Sequence, residues 1–532
     1  MHFIRCWRRS APFITAIRSL AFAHFHVLSR KTVSFYKCSK SAVDLFGRSL
    51  PVKRLLCSIG SEEDTIFALS SGQGRCGVAV IRVSGPASAL AVRCLTSSAR
   101  GLPAARTATL RNIKHPQTQE LLDRGLVLWF PGPGSFTGED CAEFHIHGGP
   151  AVINGVLQAL GSLPGLRPAE SGEFTRRAFY AGKLDLTEVE GLGDLIHAET
   201  EAQRRQALRQ MAGDLGRVYQ DWSVRLKRCL AHVEAFIDFS EDELIEDGIL
   251  NDVDTAVRQL QTEMENHLLD QRRGERLRSG VQMVIAGSTN AGKSSLLNML
   301  TQRPAAIVSP TAGTTRDVVE VPLDIGGYPV LLSDTAGLRD TTDSVEQEGV
   351  RRARQRVEQA DLSLVVVDLT QLPSDPQLVP VFLTGHLRNI LEHSCHRQHC
   401  VLILNKSDLI SAEQNSSIRA SLWLADDVPP ACFLSCHTKD GLDGLLTVLQ
   451  DRLKTLCGDP LIGSPSLTQT RHRTHLQKSI EALHQYYQYK DVDLVLAAEG
   501  LRLGLNSLGR ITGRVGAEEI LDVIFKDFCI GK

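Results

Sequence analysis

Short apolar runs punctuate the middle of the chain, and each one ends on a polar or glycine-rich cluster. The run "MVIAG" gives way at Gly287 to "STNAGKSSLLNML", where the apolar positions take up helical spacing. That change of period predicts strand, loop and helix in this order. "PVLLS" stops before Asp334, "VLILN" stops at Asn405 and "ACFL" stops before Ser435, as buried strands bounded by turns would. Nearer the amino terminus, Arg82 and Glu143 sit in alternating runs that predict strands, and the period of two puts His145 and His147 on one face. Lys183 stands just before a helical stretch. "GDLIHAETEAQRRQALRQMAGDL" and "HRTHLQKSIEALHQYYQYK" carry helical apolar spacing with charged opposite faces, and "LIGSPSL", 461–467, punctuates like a linker. No apolar run reaches the roughly 18 residues of a membrane span.

The cluster after Gly287 is Gly287-x4-Gly292-Lys293-Ser294, with Ser295 following it. A glycine-rich loop between strand and helix presents backbone N–H groups to phosphates; Lys293 would neutralise the β/γ oxygens and Ser294 would bind Mg²⁺. "DTAG" puts Asp334 at a strand end, where it can hold the Mg²⁺ shell, and lets the Gly337 N–H meet a γ-phosphate. "NKSD" supplies Asn405, Lys406 and Asp408; the Asp408 carboxylate can accept from guanine N1–H and the 2-amino group, donors that adenine lacks there. The pattern therefore points to GTP, with Ser435 and Cys436 where a final loop would touch the base. "SPTAGTTRD", 309–317, reads as a switch loop in which Thr315 reaches Mg²⁺. Leu338 follows "DTAG" where a Ras-like GTPase has a water-orienting glutamine, so hydrolysis needs another aid.

Charge sharpens the reading at the amino terminus. The net charge is −2, but residues 1–60 hold eleven Lys or Arg and one acid, Asp44, which is +10 and leaves −12 to the rest. An Arg- and Ser-rich, acid-poor segment spaced with apolar residues reads as a mitochondrial transit peptide or a disordered basic tail, and residues 1–61 are set outside the fold. The thirteen cysteines lack the spacing of a disulfide framework. "HSCHRQHC" gathers His393, Cys395, His396, His399 and Cys400, read as a polar surface loop rather than a zinc site because the spacing matches no C-x-x-C pattern. The terminal "CIGK" carries Gly531 and Lys532 where a prenylation box needs other residues.

"GSTNAGKSS", "AGTTRD", "DTAGLRD" followed by "VEQEG", and the terminal "FCIGK" together resemble the MnmE/TrmE family of tRNA-modification GTPases. With its basic leader, the chain looks like the mitochondrial branch. The resemblance runs from about Asp64 to Lys532 and includes "GRCGVAVIRVSG" and "SFTGEDCAEFHIHGGP". It implies a multidomain α/β plus α fold, in which a Ras-like P-loop GTPase domain (277–459) is inserted in an all-helical domain (181–276 with 460–532) and preceded by an α/β folate-binding, dimerising domain (62–180). It also implies K⁺ held by Asn290, Ser309, Thr311 and Thr314, with Thr314 and Thr315 beside the nucleotide and Glu346 orienting water. Arg82, Glu143, Lys183 and Lys532 match the family's contacts to 5-formyl-tetrahydrofolate or a related folate. Cys529 then becomes a thiol near a one-carbon donor, in a covalent role or in redox or positional support. The implied partners are a second copy, an FAD-containing protein of the MnmG/GidA type and mitochondrial tRNAs, within the matrix. The implied chemistry is a taurinomethyl-type change at C5 of the wobble uridine. A ribosome-assembly switch GTPase and a folate-dependent one-carbon transferase regulated by GTP are the competing classes. Arg471, Arg473, Arg510 and Arg514 would contact tRNA phosphates or form a solvated helix face.

Overall fold

The computed structural model describes residues 64–96, 101–239, 248–302, 320–334, 356–390, 399–423, 425, 428–463, 465–516, 524–525, 528 and 531. Strands β1 (Thr65–Leu69), β2 (Cys76–Ser84), β3 (Thr109–Lys114), β4 (Leu121–Phe130), β5 (Cys141–Gly148) and β6 (Leu166–Pro168) form one sheet in the order β3-β4-β5-β2-β1-β6. Only the β1–β6 pairing is parallel. Alternation along the strands sends Phe67, Ile81, Val127 and Phe144 to one face, beneath helices Ser88–Thr96 and Pro150–Gly161. Each such side chain contributes roughly 1.5–3 kcal/mol on burial. The opposite face carries Ile66 and Ala68, packed with Phe174, and beside them Arg82 and Glu143, which the register sets directly across from each other.

A second sheet holds β7 (Val281–Gly287), β8 (Glu320–Ile325), β9 (Tyr328–Asp334), β10 (Leu362–Asp368), β11 (Cys400–Asn405) and β12 (Ala431–Phe433) in the order β12-β11-β10-β7-β9-β8. All pairings are parallel except β8 with β9. β10 and β11 are buried along their whole length, as inner parallel strands covered on both faces must be. β8 lies at the sheet edge, where Pro322 lacks an N–H without breaking an inner ladder. Parallel strands point their carboxyl ends the same way, so Gly287, Asp334, Asp368 and Asn405 come to one edge.

Helices occupy the segments between and after the sheets. Asp214–Phe239 and Gly248–Leu268 precede the second sheet, yet they share a core with Thr470–Tyr489 and Leu494–Thr512, which follow it. Tyr219, Leu226, Val257 and Leu260 meet Leu476, Leu483, Tyr486 and Leu501 there. The polar run from Gly193 to Leu215, with its helical spacing, is divided between helices. Thr200 caps a new helix, Glu201–Met211, with a capping box to Gln203, and Asp185 caps Leu186–His197 in the same way with Glu188. Each cap is worth about 1 kcal/mol, enough to reset a helix start in an exposed polar segment.

Candidate functional site

The phosphate loop begins where β7 ends. Asn290 and Gly292 both adopt positive φ, 60° and 104°, and the helix Lys293–Thr301 starts immediately after them. A Cβ on Gly292 would lie 2.1 Å from Asn405 Nδ2 in a backbone region L side chains rarely adopt, so only glycine fits this corner. Lys293 Nζ donates to the carbonyls of Gly287 (3.0 Å) and Ser288 (2.9 Å), closing the loop on itself. Asn290, Ser294 and Ser295 are exposed at its rim. A row of N–H groups, a cation and hydroxyls at a helix start fit a nucleotide's phosphates with Mg²⁺.

The base-reading loop is tied to the phosphate loop through Asn405, which is 2% exposed. Its Nδ2 donates to Ala291 O (2.8 Å), and its Oδ1 accepts from the Cys436 N–H (3.2 Å). Asp408 accepts from Ser435 Oγ (2.6 Å), and that hydroxyl holds the carboxyl below its usual range. Ser435 Oγ also accepts from the N–H groups of His437 (3.3 Å) and Thr438 (3.1 Å). Burial pushes the Cys436 thiol up to about 11, which leaves it protonated and unreactive near neutrality. Asp334 closes β9 beside Ile285 of β7. Gly337, Ser309, Thr311, Thr314, Thr315 and Glu346 lie outside the described residues.

On the first sheet, Arg82 Nε donates to Glu143 Oε1 (3.1 Å), while Glu143 Oε2 meets His145 Nε2 (3.3 Å). The Arg82 guanidinium lies over the rings of Phe136 (5.4 Å), which is exposed, and Phe174 (5.8 Å), which is fully buried; sequence reasoning missed both. Lys183 Nζ donates to Pro133 O. His147 Nδ1 pairs with Asp123 Oδ1 (2.8 Å). The carboxyl-terminal tail reaches this sheet. Phe525 and Phe528 pack on Leu186, Val189 and Leu192, and Gly531 O accepts from Ser70 Oγ (2.9 Å) at the end of β1. Gly531 has φ 101°, and a Cβ there would lie 2.2 Å from Leu69 O. Cys529 and Lys532 lie outside the described residues.

Two other expectations are corrected. Arg471 and Arg473 are mostly buried and spend their guanidinium donors inside the protein rather than on a solvated helix face. Arg471 bonds Glu190 Oε1 and the carbonyls of Arg510 (2.8 Å) and Ile511 (3.1 Å), and Arg473 bonds Asp270 (2.6 Å) and Glu275 (2.9 Å). Arg510 and Arg514 are exposed. Of the "HSCHRQHC" residues, 393, 395 and 396 are outside the described set, and Cys400 is a core residue of β11 whose thiol burial pushes up to about 12. No group of three or more His, Cys, Asp or Glu suited to a metal ion occurs among the described residues.

A phosphate-cradling loop and a base-reading loop, laced together at the carboxyl edge of a mostly parallel sheet, make the unit built on the second sheet a P-loop GTPase. The chain matches the family models described as the GTP-binding protein TrmE N-terminus, over 65–183, and the MnmE helical domain, over 186–529. It is 82% identical to the mitochondrial 5-taurinomethyluridine tRNA synthase subunit GTPB3 of Danio rerio, over 91% of this chain and 96% of that protein. The Homo sapiens protein of the same name is 59% identical, over 88% and 93%. The tRNA modification GTPase MnmE of Rhodospirillum rubrum is 48% identical, over 88% and 99%. The chain belongs to the MnmE/TrmE family of tRNA-modification GTPases, and it is a mitochondrial GTP-hydrolysing enzyme.

Proposed function

We propose that this chain is a K⁺-activated GTPase that, with an FAD-containing partner of the MnmG/GidA type, modifies C5 of the wobble uridine of mitochondrial tRNAs with a taurinomethyl-type group, using a folate one-carbon unit. The observation that supports the reading is the seat of Gly531 on Ser70, at the end of the strand whose Ala68 lies opposite Arg82, with Arg82 in turn opposite Glu143. Glu143 offers acceptors for a pterin's N–H groups, the exposed Phe136 offers a flat apolar wall, and Lys183 and Lys532 would be cations for a glutamate tail. The folate would supply the one-carbon unit, and Cys529 would stand beside it. The names of the relatives support the tRNA substrate, and the word "subunit" in two of them supports a partner protein. Leu110 and Leu126, paired on this same face and 53% and 40% exposed, support pairing of two copies through the first sheet. Separate cores in the two sheets and the helices support a division into 62–180, 181–276 with 460–532, and 277–459.

At the GTP site, Ser294 and Thr315 would hold Mg²⁺, and Asn290, Ser309, Thr311 and Thr314 would hold K⁺. These ions would neutralise charge building on the phosphate oxygens. Asn290 fits this role, since its left-handed backbone leaves its side chain exposed on the loop rim two residues before Gly292. Glu346 would orient water in place of the missing glutamine. The test is GTP hydrolysis by the full chain in potassium against sodium, with Asn290→Ala alongside. A potassium requirement that the variant loses is the expected result; equal rates in both salts would overturn the cation mechanism.

A further inference from the structure

The guanine loop contains one residue whose anchor belongs to none of the nucleotide motifs. Asn405 is tied to the phosphate loop and Asp408 to Ser435. Lys406, between them, has a left-handed backbone, φ 65°, a region that L residues rarely adopt. Its ammonium is held by Asp368 Oδ2 at 2.6 Å. Asp368 is the last residue of β10, next to Asn405 in the sheet register, and its side chain is 4% exposed. Its other oxygen accepts from the Thr370 N–H (2.9 Å) and Thr370 Oγ1 (2.7 Å), so three donors meet a carboxylate that touches no part of the phosphate loop. Burying a carboxylate is costly unless it is paired and fully hydrogen-bonded. Here the pair stretches the four methylenes of Lys406 between its own backbone and the end of β10.

We infer that Asp368 is a positioning residue of the guanine site. It fixes the ammonium of Lys406, so that the apolar stem forms a rigid wall for the flat face of the base, and it holds the strained turn that sets the spacing from Asn405 to Asp408. Asp368 contacts Lys406 and Thr370 rather than the nucleotide, and acts through them.

Titration with a fluorescent GDP analogue tests this in the full chain. Asp368→Asn keeps an acceptor for Thr370 but loses the charge partner of Lys406. It should weaken GDP and GTP binding about tenfold, while kcat at saturating GTP stays within twofold and the loss appears in KM. Lys406→Gln, at a half-exposed side chain, should lose a similar factor, and adding Asp368→Asn to it should cost less than a further twofold. Wild-type affinity in Asp368→Asn, wild-type affinity in Lys406→Gln, or a second full tenfold loss in the double variant would each overturn the inference. Should Asp368→Asn fail to fold, Lys406→Gln alone still decides. The inference rests on residues 405–408 reading the base, and Asp408→Asn tests that separately. That change should favour XTP over GTP, because the xanthine C2 carbonyl accepts from an amide where the guanine 2-amino group donates to a carboxylate.

Discussion

Replacing Glu190 with alanine removes one corner of a buried charge cluster that joins two distant parts of the chain. Glu190, 6% exposed on the helix Leu186–His197, accepts from Arg471 Nε (3.1 Å) and Nη2 (2.9 Å) through Oε1 and pairs with His472 Nε2 (2.7 Å) through Oε2. Burial pushes its carboxyl up, but the attraction of His472 and Arg471 and their hydrogen bonds more than offset this and hold it below its ordinary range. Without the carboxylate, Arg471 keeps the two carbonyls of Arg510 and Ile511, whereas His472, fully buried, keeps only Arg471 Nη2 (3.0 Å) beside its Nε2, and its Nδ1 has no partner. Breaking a buried pair by removing one partner costs about 3–5 kcal/mol. At about 2–4 °C per kcal/mol for a unit of this size, the helical body should melt roughly 6–20 °C lower. Thermal unfolding at pH 7, with hydrogen exchange of Leu186–His197 to locate the loss, measures it. A carboxyl held low in the folded state stabilises above its unfolded pKa, and that contribution disappears as pH falls through the folded value. The gap between wild type and variant should therefore close below about pH 4. A Glu190→Ala protein that melts with the wild type at pH 7 would refute the reasoning.

Gly292→Ala should weaken GDP binding by roughly 30-fold or more, read by calorimetry. The new Cβ collides with Asn405 Nδ2 and combines about 1–2 kcal/mol of left-handed strain with about 1–3 kcal/mol for a broken buried hydrogen bond. Gly531→Ala, colliding with Leu69 O, should unseat the tail and abolish tRNA modification while GTP hydrolysis without tRNA stays at the wild-type rate; modification at the wild-type rate would remove the tail from the reaction site.

The described loops of the GTP site were legible because each follows a strand end where the local period changes, so "MVIAG", "PVLLS", "VLILN" and "ACFL" announced both the sheet and its functional edge. What stayed hidden was pairing across sequence. Arg471 looks like a surface arginine until Glu190, 281 residues away, is placed against it, and Arg473 likewise until Asp270 and Glu275 arrive. Cys400 read as part of a polar cluster because a strand start is hard to separate from the loop before it. Two signals were present and unused. Thr200-x-x-Gln203 spells a capping box inside the stretch of helical spacing, and the aspartate closing "LSLVVVD" is an acid at the end of a buried strand, which requires a cation nearby.

The same pairings suggest how the two sites are joined mechanically. The segment leaving Leu442–Cys457 is held by Arg209, which donates to the carbonyls of Pro460 (3.1 Å) and Gly463 (2.6 Å). A few residues on, Thr468 Oγ1 donates to Gln210 Oε1, whose Nε2 donates to Thr187 O. Arg471 and His472 then fasten to Glu190 on the helix that also seats Phe525 and Phe528, and through them the tail at Ser70. A displacement of the exit segment by the GTPase sheet would thus be felt by Leu186–His197 before any part of the first sheet. Coupling of this kind requires a two-state element that both sites bias, and Leu186–His197 touches both the exit contacts and the tail. Glu190→Ala should accordingly uncouple the two activities at temperatures where the variant is folded, slowing tRNA modification more than GTP hydrolysis. Equal loss of both would mean that the cluster only holds the fold together.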